Sequence, residues 1–150
     1  MPAYLSQELA GTTTANQTAA PVGYRSRASA YQSNLRRLRA TFTLGTQTTS
    51  DTLVVGNLPA GATFAFGVIT STVSLGSSTV AVGITGTTGK YRAGAVFTAV
   101  DTPTMFGPAA QIGAVDPALT AEESVFVTIG AASLPASGTL VIDLFFSDAT

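Results

Sequence analysis

The chain has 150 residues and a mass of 15.1 kDa, one domain's length and enough to enclose a real core. Hydrophobic residues make up 45% and charged residues only 10%, with a formal net charge of −1, so little electrostatic repulsion keeps neighbouring copies or partners apart. With no cysteine and no histidine, disulfides, thiolate nucleophiles, imidazole bases and nearly all nitrogen- or sulfur-ligated metal sites are excluded.

The N-terminus MPAYLSQELAG has neither a basic region nor a continuous apolar stretch, and no run of 18 apolar residues follows. Neither a signal peptide nor a membrane span is expected. Residues 1–34 are rich in Thr, Ala, Ser and Gln, with few large apolar groups to offset the entropy of ordering. They read as an extended arm. A competing signal is the 4-3-4-3 spacing of Tyr24, Ala28, Tyr31, Leu35 and Leu38, a helical seam lasting only two heptads. The triplet Asn16-Gln17-Thr18 fits a glycosylation acceptor, but with no secretory signal it reads as a chance match.

Charge divides the chain. Residues 1–50 carry Arg25, Arg27, Arg36, Arg37 and Arg39 against Glu8, a balance of +4, while 51–150 carry Lys90 and Arg92 against seven acids, a balance of −5. Tyr24 and Tyr31 beside the arginines would suit nucleic acid, and a solvated face is a second reading. On a net-acidic chain, the five arginines are better read as contacts to an acidic protein partner.

From residue 35 the period becomes two. In RRLRATFTL, Leu38, Ala40, Phe42 and Leu44 share one face, and Arg37, Arg39, Thr41 and Thr43 share the other. The segments DTLVVGNL, ATFAFGVITSTVSL, STVAVGIT, YRAGAVFTAV, SVFVTIGA and TLVIDLFF continue the pattern between Gly, Pro, Ser and Asn breakers. About seven strands over residues 35–150 predict an all-β domain, a single antiparallel β-sandwich or jelly-roll-like barrel. Turns are expected at Pro59-Ala60-Gly61, Pro135-Ala136-Ser137-Gly138 and TTGK (87–90), with Gly89 at positive φ. The two Leu-Pro-Ala segments read as repeated hairpin chemistry.

The remaining motifs argue against catalysis. GITGTTGKY has Ile84 where a phosphate-binding loop needs glycine and Tyr91 where it needs serine or threonine, and no Ser-x-x-Lys precedes Lys90. Gly83, Gly86 and Gly89 therefore read as turn and close-packing residues. The stretch from Asp101 to Ser124 is expected to be irregular because of Pro103, Pro108 and Pro117, with Met105 and Phe106 as an apolar contact tip in the loop. Asp51, Asp101 and Asp116 flank turns, Glu122 and Glu123 read as solvated, and Asp143 shares with Val141 and Phe145 the face opposite Leu140, Ile142 and Leu144, expected in water in preference to a subunit contact. No spacing suggests a carboxylate pair or a calcium loop. Neither catalytic nor metal-binding residues are expected, and no cofactor.

The stretch from LRRLRATFTLGTQ to GTTGKYRAGAVFTA, continuing from LTAEESVFVTIG to LPASGTLVIDLFFS, resembles small structural proteins of tailed-bacteriophage virions. The likeness spans roughly residues 35–147 and rests on the order of the Leu-Pro-Ala-Gly turn, the Ser-Leu-Gly strand end, the Gly-Thr-Thr-Gly-Lys-Tyr-Arg turn and the closing Leu-Pro-Ala-Ser-Gly strand. It implies a non-enzymatic virion component, a capsid decoration or cement protein, with a neck, fibre-anchoring or receptor-binding protein as the alternative. It further implies a homo-oligomer, assembled in the bacterial cytoplasm, whose partners are the major capsid protein or other virion proteins, with no membrane, nucleic acid or small-molecule substrate.

Overall fold

The computed structural model describes residues 34–107 and 118–148. The expected arm therefore lies outside the described residues except for Asn34, which already pairs with Asp148 as the first residue of a strand. Arg25 and Arg27 lie outside them too.

Eight strands are present among the described residues: β1 (Asn34–Thr43), β2 (Thr52–Leu58), β3 (Ala62–Ser71), β4 (Thr79–Ile84), β5 (Thr87–Val96), β6 (Thr104–Phe106), β7 (Glu123–Gly130) and β8 (Thr139–Asp148). They form two four-stranded sheets ordered β1-β8-β3-β6 and β2-β7-β4-β5, with every strand pair antiparallel. Only β4 and β5 are consecutive neighbours within a sheet; every other connection passes from one sheet to the other. Eight strands wound between two sheets in this order make a jelly roll.

The alternation seen in the sequence decides which side of each strand is buried. Along β7, Val125, Val127 and Ile129 point inward and are fully enclosed, as are Val80 and Val82 of β4. On the facing sheet the register places Ala40, Ile142 and Ile69 side by side across β1, β8 and β3. Packing these two inner faces removes the branched side chains from water, the main favourable term in the fold. The rings of Phe64 from one sheet and Tyr91 from the other meet with centroids 4.6 Å apart.

Three local expectations change. Pro59-Ala60-Gly61 does reverse the chain, with Ala62 N–H donating to Pro59 O at 3.1 Å, but it carries β2 into the opposite sheet. The Pro135–Gly138 segment does the same between β7 and β8, so neither Leu-Pro-Ala segment closes a hairpin. TTGK lies inside β5; the hairpin turn is Thr85-Gly86, where Gly86 has φ +83°. The misreading arises because β5 bulges: the register jumps from Ile84–Thr87 to Val82–Arg92, so the extra residues look like a turn in sequence. The eighth strand, β6, falls in the stretch expected to be irregular, between Pro103 and Pro108.

Candidate interaction surface

The outer face of the β1-β8-β3-β6 sheet brings together Arg37, Arg39, Asp143 and Met105 from among the residues singled out in the sequence. Because side chains alternate, the row opposite Arg39 runs Arg39–Asp143–Val68–Met105 across all four strands, and the next row runs Arg37–Phe145–Phe66. Phe66 and Phe145 are stacked with centroids 4.6 Å apart and planes at 19°. Half-buried Val68 and Val141 continue this apolar band, and Met105 is 64% exposed at its end.

Asp143 is not in water. Arg39 Nε donates to Asp143 Oδ1 at 2.7 Å and Arg39 Nη2 to Oδ2 at 2.6 Å, a two-pronged ion pair between directly opposed residues. The carboxylate is 7% exposed because β8 is flanked by β1 and β3. The hydrogen bonds from its guanidinium, reinforced by the charge of Asp143, hold the Arg39 pKa above its ordinary value. Arg39 therefore serves this chain's own surface first. Arg36 and Arg37 are exposed on β1, and Arg37 makes no ion pair among the described residues.

Met105 and Phe106 do not form a loop tip. As neighbours on β6 they point to opposite sides: Met105 faces outward opposite Val68, while Phe106 packs inward over Gly67. A Cβ at Gly67 would lie within the Phe106 ring, so the glycine makes room for it.

A second cluster, on the other sheet, was missed in the sequence. Glu123, expected in solvent, begins β7 and accepts from Lys90 Nζ through Oε1 and from Tyr91 Oη through Oε2 at 2.5 Å. Beside it, Asn57 Nδ2 donates to Glu122 Oε1 at 2.7 Å and Ser124 Oγ donates to Asn57 Oδ1 at 2.9 Å. Desolvation works to raise the Glu123 pKa, but the hydrogen bonds from Lys90 and Tyr91 and the Lys90 charge outweigh it, and the net shift is downward. Burial, together with the bond to Glu123, pushes the Tyr91 phenol far above its ordinary range, so it remains a donor at any working pH. The cluster links β5 to β7, a structural role.

A lowered carboxylate pKa contributes stability that is complete above the unfolded-state value and disappears as pH falls through the folded-state value. The unfolding free energy of the wild type should therefore exceed that of Glu123→Gln at pH 7, with the gap closing below about 4.5, the ordinary value for the group. Denaturant titrations of both proteins from pH 7 to pH 3 measure this; a gap independent of pH would refute the assignment.

Among the described residues, no group of three or more Asp or Glu side chains is placed to hold a metal ion, and no helix is long and apolar enough to cross a membrane.

No protein-family model and no curated protein matches the chain. Solved structures do. A chain of the structure described as the cyanophage Pam1 capsid asymmetric unit aligns with a TM-score of 0.64 at 17% identity, covering 91% of this chain and 97% of that one. A chain from the capsid of Ralstonia phage GP4 aligns at 0.60 and 18% identity, covering 78% of this chain and 86% of that one. One from the acid-stable capsid of Helicobacter pylori bacteriophage KHP30 aligns at 0.57 and 16% identity, covering 79% and 90%. The jelly roll, at close to full length, is thus a fold this chain has in common with chains of three phage capsid structures.

Proposed function

We propose that this chain is a non-enzymatic structural component of a phage virion that binds the assembled head as a decoration or cement protein. The observation that carries the reading is the near-complete overlap with chains from phage capsid structures, 86–97% of whose length is matched. The chemistry of the surface agrees. A sheet face with a stacked phenylalanine pair, an exposed methionine and Arg37 at its edge suits a protein neighbour with apolar and acidic groups. In a symmetric shell each weak contact is repeated, so modest affinity per copy suffices for firm attachment once copies are linked. In this reading residues 1–33, with Arg25 and Arg27, extend the contact beyond the folded domain, and the working form is an oligomer.

The test is co-sedimentation of purified protein with phage shells. Arg37→Glu should weaken binding by tenfold or more while leaving thermal unfolding unchanged, because Arg37 holds no ion pair within the described fold. Arg39→Glu is a poor probe, since it would set a second carboxylate against Asp143 and damage the sheet. Wild-type affinity in Arg37→Glu would remove Arg37 from the contact.

A further inference from the structure

A sheet edge is a row of backbone donors and acceptors ready to pair with another chain, and folded proteins blunt such edges in recognisable ways. Among the described residues, three of the four sheet edges are blunted. β6 is only three residues long. β2 is broken by a bulge between Val54 and Gly56. β5 is bulged between its pairings with Val82 and Ile84, and Arg92 turns its guanidinium back onto the backbone, donating to Val80 O, to Ala95 O at 3.2 Å and to Val96 O at 3.5 Å.

The fourth edge is different. β1 runs ten residues without proline, glycine or bulge and pairs with β8 in unbroken register from Asn34–Asp148 to Thr43–Thr139. Among the described residues its other edge pairs with no strand. Its length, about 33 Å, is ample for strand addition.

The charges on β1 select the occupant. A second copy of β1 carries no carboxylate to answer Arg37, and an antiparallel pairing centred on Arg37 would set that residue against itself, an unfavourable like-charge pair. Residues 1–33 offer Arg25 and Arg27 against a single carboxylate, Glu8, so they fit no better. We infer that the open edge of β1 receives an extended, carboxylate-bearing segment of another virion protein as an added strand. The inference rests on the virion reading above and specifies the contact: main-chain hydrogen bonds give adhesion and Arg37 reads the acidic side chains.

Amide hydrogen exchange over residues 34–43, measured for the full chain free and bound to phage shells, tests this. In the free chain the β1 amides that point away from β8 should exchange early, and shell binding should slow them at least tenfold while the β2 and β5 edges are unchanged. Binding without added protection over 34–43 would overturn strand addition and leave the virion reading standing. Absence of binding would overturn both. Full protection in the free chain would mean that the edge is already filled, by its own residues if independent of concentration and by a second copy if not, and would equally overturn the inference.

Discussion

Ile142→Ala is expected to lower the unfolding free energy by about 3–4 kcal/mol and the Tm by about 10 °C. Ile142 is fully enclosed on the inner face of β8, between Ala40 of β1 and Ile69 of β3. Both neighbours are held by the ladders of their own strands, so the space left by three carbons closes only partly, and the cost combines lost transfer energy with a residual cavity. The neighbouring Val141→Ala, on the half-buried outer face, should cost 1 kcal/mol or less on the same scale. Equal losses at the two positions would mean that the sheet has no distinct inner side, contrary to the sandwich.

Gly83→Val should be the most damaging change outside the core's large side chains. Gly83 sits in β4, where the bulged start of β5 folds over it, and an added Cβ would overlap the carbonyl of Thr87 and the backbone of Thr88. Backbone atoms on a paired strand cannot swing aside as a side-chain tip can, so relief requires opening the β4–β5 hairpin. A loss of about 3 kcal/mol is expected in denaturant titration. Gly45→Val is the matched control, since nothing lies within 4 Å of its Cβ position, and it should be nearly neutral. Comparable stability of the two variants would show that the bulge does not press on β4.

These two positions illustrate what was legible in the sequence. Ile142 was readable, because period-two alternation in TLVIDLFF assigns it to a buried face whatever lies next to it. The same pattern exposed β1, β2, β3, β4, β7 and β8. Strand partners were not readable, because register depends on segments far apart in the chain. Arg39 and Asp143 were placed correctly on outward faces, yet their ion pair spans 104 positions and follows only from β1 lying beside β8. Glu123 was misjudged for the same reason: an acid in a TAEE run looks solvated until Lys90 and Tyr91 of a neighbouring sheet region are brought to it. The bulge of β5 failed differently, since extra residues within a strand have the composition of a turn. The strand β6 is too short to show a period at all, which is why Met105 and Phe106 read as one loop tip instead of opposite faces.

That β1 has one unpaired edge among the described residues was equally hidden. Its sequence announced arginines on one side of a strand, but which strand ends a sheet is a property of the winding, and only the β1-β8-β3-β6 order makes it available.

The most direct test of the account is an image reconstruction of the intact phage particle that carries this chain, at a resolution sufficient to fit a 15.1 kDa jelly roll. The predicted result is density for the domain on the head surface in many symmetry-related copies, with the β1 edge turned toward a neighbouring subunit. A particle complete without this density, or with the domain only at the tail, would contradict the account.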